Sequence, residues 1–95
     1  MDDERRRAMM TELAENFPCL RGARGVNPFE PAELAHWATG PVSHGERVTA
    51  SFLLIVWDSS TDWEAGRFDL MEALNVWSPS HRDPFLKWAS DPWWP

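Results

Sequence analysis

Apolar residues recur at about every fourth position near the start of the chain. The stripe consists of Met9, Met10, Leu13, Ala14 and Phe17. This spacing lines the side chains up along one face of a helix, and the acids from Asp2 to Glu4 suit the positive end of its dipole. We therefore predict a helix over residues 2–16, which Pro18 brings to an end.

Residues 18–30, PCLRGARGVNPFE, break this periodicity with two Gly and two Pro. They predict a loop, and a loop this long in a small domain is often a functional segment. Pro31 then fits the first turn of a helix, and Gly40 and Pro41 are typical of residues that follow a helix end. We predict a short helix, PAELAHWAT, over residues 31–39.

The segment SFLLIVW and the residues before it fit either a strand or a helix. Every second residue from Val48 to Val56 is apolar, and β-branched residues favour a strand. A strand needs a partner for its backbone, however, and the sequence contains no second strand-like run. Ser43 and Glu46 have the spacing of a capping box, and the segment is apolar on nearly every side. We therefore predict a buried central helix over residues 44–57.

The polar connector DSSTDWEAGRF, residues 58–68, leads to another helix start, because Asp69 and Glu72 repeat the capping-box spacing. The apolar residues of this helix that we predict to face inward are Leu70, Met71, Leu74 and Trp77. Residues 78–83, SPSHRD, then indicate a turn.

Asp83 and Pro84 are the residue types of a helix N-cap and a first-turn position. They predict a last short helix, PFLKWAS, over residues 84–90, and DPWWP finishes the chain. Together these elements predict an all-α protein, a compact single-domain bundle of four to five short helices over residues 1–95. A Trp-rich C-terminal tail completes it.

The formal net charge of −6 narrows the range of partners. Three of the eight Arg lie in the first seven residues, which leaves no basic face for a phosphate backbone, so we expect no nucleic-acid partner and favour a basic one. The longest apolar run, at residues 52–57, is far shorter than the ~20 residues that cross a bilayer, so we expect no membrane partner.

Cys19 is the only cysteine, and the N-terminus is charged where a signal peptide is apolar. Both features predict a cytoplasmic protein.

No motif specifies a catalytic chemistry, and we assign no catalytic residue, no metal site and no cofactor. Ser43 and His44, like Ser80 and His81, are sequence neighbours that do not face each other on a helix, and capping accounts for both serines. The chain contains no HExxH motif and no Cys pair, which are the usual signals of a zinc site.

Two alternatives remain open. The first is a small enzyme with a composite site, in which Cys19 acts as a nucleophile with a distant His and an acid. The second is a calcium-responsive module, because the connector 58–69 has the twelve-residue length of an EF-hand loop with acids at several ligand positions. Trp63 stands where such a loop needs Gly for its sharp turn, and Asp69 stands where it needs Glu.

Four large aromatic side chains lie close together near the C-terminal end of the sequence. They are Phe85, Trp88, Trp93 and Trp94. Trp is strongly enriched at the energetic centres of protein interfaces. Two hypotheses follow: the tail folds back as a lid over the core, or it anchors a partner. The two can coexist if one Trp faces inward and its neighbour faces outward.

The sequence therefore predicts a small cytoplasmic protein–protein interaction protein without catalytic activity. It would bind an unidentified protein, or a second copy of itself, through aromatic surface residues. The candidate partner-binding residues are Phe85, Trp88, Trp93 and Trp94, together with Arg21 and Arg24 of the loop. This hypothesis of one shared surface requires the loop 18–30 and the tail to lie close together.

Overall fold

Five α-helices make up the described part of the chain, residues 3–95 of a computed structural model. They are α1 (Asp3–Glu15), α2 (Pro31–Ala38), α3 (His44–Trp57), α4 (Leu70–Val76) and α5 (Pro79–Ser90), and a 3-10 turn spans Pro18–Leu20. No strand occurs within residues 3–95, so the predicted all-α class is confirmed. The predicted start of the first helix at Asp2 lies outside the described residues.

Helix α3 forms the centre of the protein, as the sequence predicts. The Ser43 hydroxyl accepts a hydrogen bond from the Glu46 backbone N–H at 3.1 Å, and the Glu46 carboxylate accepts one from the Ser43 N–H at 2.7 Å. This capping box satisfies two backbone donors that a helix start would otherwise leave unpaired. The buried residues of α3 are Val48, Thr49, Ala50, Ser51, Phe52, Leu53, Leu54 and Val56. Helices α1, α2 and α4 and the 3-10 turn all pack against α3.

The buried polar groups of α3 are satisfied within the fold. The Thr49 hydroxyl donates to the Gly45 carbonyl at 2.7 Å and accepts from the indole N–H of Trp77 at 2.8 Å. The Ser51 hydroxyl donates to the Arg47 carbonyl at 3.0 Å. In the described part of the chain, no buried side-chain nitrogen or oxygen lacks a hydrogen-bond partner. The core therefore avoids the desolvation cost of about 1–3 kcal/mol for each unpaired buried group.

The predicted loop 18–30 is irregular apart from its 3-10 turn, and it is packed against α1. Its buried apolar side chains are Leu20, Val26 and Phe29. Two α1 side chains hold its backbone: Thr11 donates to the Val26 carbonyl at 2.7 Å, and Arg7 donates to the Phe29 carbonyl at 2.7 Å. The loop is thus a structural layer between α1 and α2.

The end of α3 is held by α1 through cation–π contacts. The guanidinium groups of Arg6 and Arg7 lie 4.5 Å and 5.3 Å from the ring centroid of Trp57. Arg7 also pairs with Asp3 at 2.7 Å and with Glu30 at 3.2 Å. These two basic residues near the N-terminus therefore take part in the chain's own packing.

The predicted turn at residues 78–83 is wrong, and so is the predicted helix start at Asp83 and Pro84. Helix α5 begins at Pro79, which follows the N-cap residue Ser78, and Pro84 lies inside the helix. Ser78–Pro79 and Asp83–Pro84 carry the same local signal of a cap residue before a proline, and the structure uses the first. Pro84 cannot donate to the carbonyl of Ser80, a loss that would cost about 3 kcal/mol in an ordinary helix interior.

The inward face predicted for α4 is also partly wrong. Trp77 is buried at the helix C-cap and Leu74 is half-buried, but Leu70 is 42% exposed and Met71 is 74% exposed. The reason is competition from Phe68, whose ring lies 5.5 Å from that of Phe52 and 6.0 Å from that of Trp77. Phe68 precedes the helix and occupies the core position, so the first turn of α4 remains in solvent.

Candidate functional site

The Phe52 ring is the hub of an aromatic cluster. Its neighbours, with centroid separations between 5.2 and 6.1 Å, are Phe17, Phe68, Trp77, Phe85 and Trp88. Several of these pairs meet edge to face, which is the favourable arrangement for aromatic quadrupoles. The cluster joins the C-terminal aromatics to the core, as expected if part of the tail folds back.

Helix α5 is attached to the protein through this aromatic cluster. None of its residues is buried. Phe85 and Trp88 are half-buried and touch Phe52, whereas Leu86 is 50% exposed. Helix α5 therefore rests on a layer of rings, and its outer side faces solvent.

The C-terminal tail turns back onto α5 after residue 90. The indole N–H of Trp88 donates to the Trp93 carbonyl at 3.1 Å, and the rings of Trp88 and Trp94 lie 5.6 Å apart at 82°. Trp93 is half-buried against the core, while Trp94 is 63% exposed. One Trp of the pair thus covers the core, and its neighbour is presented to solvent on a fixed support.

A cleft of about 480 Å³ separates α1 from α5 and the tail. Its apolar lining includes Met9, Leu13, Trp88 and Trp93. Its polar lining includes Glu12 from α1 together with Lys87 and Asp91 from the other side. The lining is about as polar as it is apolar, and the volume of the cleft lies in the range of ligand pockets.

Arg21 and Arg24, which the sequence predicts to share one binding surface with the tail, contact other residues of the chain. The Arg24 guanidinium pairs with the Glu33 carboxylate at 3.1 Å, and the Arg21 guanidinium donates to the Glu15 carbonyl at 3.0 Å. Over residues 3–95, no hydrogen bond, ion pair or ring contact joins either arginine to the aromatic residues of the tail. The single surface that the sequence suggested is therefore not assembled by direct contacts.

The loop and α5 do meet at one point, between Cys19 and His81. The backbone N–H of Cys19 donates to Nε2 of His81 at 3.1 Å. Since this nitrogen accepts, the proton of the neutral imidazole sits on Nδ1, which lies 3.1 Å from the Ser78 hydroxyl. This bond ties the N-terminal turn of α5 to the 3-10 turn.

Neither Cys19 nor His81 has the electrostatics of a nucleophile and its base. Burial raises the pKa of the Cys19 thiol, and the Glu46 carboxylate acts in the same direction. Burial lowers the pKa of His81. A thiol with a raised pKa beside a neutral imidazole lacks the cationic neighbourhood that activates a cysteine.

The structure makes the stability of the protein depend on the protonation of His81. Because burial lowers its folded-state pKa, the unfolded state binds the proton first as the pH falls below about 6.5. We expect the free energy of unfolding to fall between about pH 7.5 and pH 5, since protonated Nε2 can no longer accept from Cys19. Urea titrations across this range measure the effect.

The matched variants are His81→Gln and His36→Gln. The amide that His81→Gln introduces cannot titrate, so the stability of this variant should change less over this pH range than that of the unaltered chain. The His36 side chain is 81% exposed, so His36→Gln is the comparison for the loss of a histidine at the surface. Equal pH dependence in the unaltered chain and His81→Gln would show that His81 does not control it.

The connector 58–69 does not assemble the ligands that the calcium hypothesis requires. Asp58 accepts from the Ser60 N–H at 2.9 Å, from the Ser60 hydroxyl at 2.6 Å and from the Thr61 hydroxyl at 2.7 Å. These bonds lower the pKa of Asp58 and hold its carboxylate in a local turn. Within residues 3–95, no group of three or more His, Cys, Asp or Glu side chains is arranged to hold a metal ion.

Sequence patterns alone did not identify two residues that line the cleft, Met9 and Pro84. Met9 belongs to the predicted apolar stripe of the first helix, and its exposed edge next to Glu12 carries no local signal. Pro84 lines the same cleft because it lies inside α5, which the predicted helix boundary did not allow. Leu86 could have been noted as an apolar residue on the outer side of a short helix.

Comparison with known proteins gives no relative from which a function can be inferred. The chain matches no protein-family model, no curated protein and no solved structure. Among its described residues, no helix has both the length and the apolar character needed to cross a membrane. Functional inference therefore rests on the surface of the molecule.

Proposed function

We propose that this chain is a small cytoplasmic protein–protein interaction protein that acts without catalysis and binds through α5 and the C-terminal tail. One observation carries this proposal. Within residues 3–95, two of the four large apolar side chains that are exposed lie on α5 and the tail, namely Leu86 and Trp94, whereas the other two lie on α4. Leu86 and Trp94 lie on the same segment as the half-buried rings of Phe85, Trp88 and Trp93, and apolar side chains exposed beside such rings are typical of an interaction surface.

The support beneath this surface favours binding. Trp94 packs edge to face on Trp88, whose indole N–H is fixed by the Trp93 carbonyl. Trp88 in turn lies 5.2 Å from the buried Phe52 ring. An exposed Trp held in this way loses little conformational freedom when it binds, which is the advantage of a preorganised anchor.

The partner is another protein or a second copy of the chain. The net charge of −6 opposes self-association at low salt and favours a basic partner. Arg21 and Arg24 lie outside the main contact surface in this proposal, because each is engaged with α1 or α2. They remain candidates for peripheral contacts of the kind that tune association rates.

The test removes the exposed apolar groups of α5 and the tail in the double variant Leu86→Ser, Trp94→Ala. We expect binding to weaken by about 30-fold or more, because an anchoring Trp contributes about 2 kcal/mol or more at an interface. The readouts are quantitative retention of proteins from the extract of the parent cells and sedimentation equilibrium for self-association.

Met71→Ser serves as the matched control, because it removes an exposed apolar side chain from α4 instead. A partner retained by the unaltered chain and by Met71→Ser, and lost from the double variant, supports the proposal. A monomer with no specific partner, or a partner that the double variant retains with equal affinity, overturns it. Thermal melting verifies that each variant remains folded.

A further inference from the structure

We infer that the cleft between α1 and α5 receives a short segment of a partner protein that carries a bulky apolar residue next to a Lys or Arg. This inference rests on the proposed function and names the chemistry of the partner. The segment would insert its apolar side chain between α1 and the tail, and its cation would meet the acidic rim.

The walls of the cleft define the apolar part of this ligand. Met9 and Leu13 form one side, and Trp88 and Trp93 form the other. The cleft is open at the surface, and its volume of about 480 Å³ is large enough for a peptide side chain with part of its backbone. Met adapts its shape readily, and Trp offers a broad flat surface, so this lining suits a bulky aliphatic or aromatic residue.

The rim defines the charge of the ligand. Glu12 stands on α1, and Asp91 stands just after the last residue of α5. Throughout the described chain, no ion pair or side-chain hydrogen bond engages either carboxylate. The C-terminal end of a helix also favours a cation, and indole faces attract guanidinium and ammonium groups.

Lys87 is the one opposing charge on this rim. Its side chain is exposed and forms no ion pair within residues 3–95. The rim therefore has one negative charge in excess, on a chain whose net charge is −6. Lys87 should weaken the binding of a basic segment. Replacing Lys87 with an uncharged residue should therefore strengthen that binding.

The charge argues against a second copy as the occupant of the cleft. A second copy brings the same charge of −6 to an acidic rim. Three of its basic side chains are already engaged in ion pairs: Arg6 with Asp3, Arg7 with Asp3 and Glu30, and Arg24 with Glu33. A partner with unpaired Lys or Arg next to an apolar residue fits the cleft better.

The experiment selects binders from a phage-displayed library of random 12-residue peptides on the immobilised full-length chain. The enriched peptides are then synthesised, and their affinities are measured by calorimetry at low and high salt. We expect Lys or Arg next to Trp, Phe, Leu or Met in the enriched sequences. Indole N–H resonances of Trp88 and Trp93 should shift on binding.

The double variant Glu12→Gln, Asp91→Asn should weaken binding about tenfold at low salt, whereas Lys87→Gln should strengthen it about threefold. The control Asp62→Asn, Asp83→Asn removes the same charge from positions that do not line the cleft, and it should bind like the unaltered chain. All of these substitutions are at exposed side chains, so thermal melting should show that the variants remain folded.

Several results would overturn this inference and leave the proposed function intact. They are enriched peptides without basic residues, affinity unchanged by Glu12→Gln, Asp91→Asn, and binding lost only when Leu86 and Trp94 are replaced. A dimer that the Glu12→Gln, Asp91→Asn variant dissolves would assign the cleft to a second copy. The absence of any enriched peptide also overturns the inference. The proposed function is then decided separately, by the binding test of the Leu86→Ser, Trp94→Ala double variant.

Discussion

Replacing Phe52 with alanine is expected to lower the free energy of unfolding by about 3–5 kcal/mol. The Phe52 side chain is 1% exposed, and its ring contacts aromatic residues from four other parts of the chain. Alanine removes the transfer free energy of the ring together with its edge-to-face contacts to Phe17, Trp77, Phe85 and Trp88, and it leaves a cavity. Since α5 is attached mainly through Phe85 and Trp88, its docking should weaken most.

Urea unfolding followed by far-UV circular dichroism measures the change in stability, and hydrogen exchange locates it. In Phe52→Ala, the amides of α5 should exchange faster relative to those of α3 than they do in the unaltered chain. Leu70→Ala is the control, because Leu70 is 42% exposed and its loss should cost less than about 0.5 kcal/mol. A cost below about 1.5 kcal/mol for Phe52→Ala would mean that Phe52 is not the hub of the fold.

Replacing Gly25 with alanine is expected to cost about 2–5 kcal/mol. Gly25 has φ of +88°, and an added Cβ would clash with the Leu34 nitrogen and lie 2.8 Å from the Glu30 carbonyl oxygen. These neighbours are backbone atoms at the start of α2, so a side-chain rotation cannot relieve the clash. The Gly25 carbonyl also accepts from the Glu30 N–H at 2.8 Å, which fixes the approach of the loop to α2.

Gly22→Ala separates the two causes of this cost. Gly22 has φ of +81° but nothing within 4 Å of an added Cβ. Its replacement should cost only about 1–2 kcal/mol from the left-handed backbone conformation. Urea unfolding of both variants measures the two costs. Equal costs would show that the loop and α2 can move apart to accommodate the added Cβ at Gly25 without a loss of stability.

The helical class and most helix starts could be predicted because their signals are local. The capping box of Ser43 and Glu46 and the first-turn residue Pro31 each act within four residues of the helix start. The choice of helix over strand for residues 44–57 also followed from a simple fact of the sequence, the absence of a second strand-like run. Such signals are strong when no competing segment offers the same pattern.

The errors occurred where two segments compete for one role. Ser78–Pro79 and Asp83–Pro84 carry equivalent helix-start signals, and the tertiary contact that distinguishes them lies in the first turn, where His81 accepts from the Cys19 N–H. Similarly, Phe68 takes the core position predicted for Leu70 and Met71. Tertiary packing decides both cases, and periodicity within one short helix cannot reveal it.

The candidate site was only partly foreseeable for the same reason. Composition pointed to the aromatic residues of the tail, because so many large rings lie in so few positions. The cleft itself forms between the first helix and the last, so the presence of Glu12 and Asp91 on one cleft depends on the whole fold. Arg21 and Arg24 were predicted from their place in a long loop, but nearby groups in α1 and α2 engage them.

Helix α5 is attached to the protein through one side only, so its inward and outward residues differ in their effect on stability. Phe85 and Trp88 hold the helix to the core, while outward positions such as Leu86 and Ala89 are exposed and bear little on stability. Substitutions at such positions usually change stability by less than about 0.5 kcal/mol. Natural variation can therefore change the chemistry of the outer face of α5 while the fold that supports it stays the same.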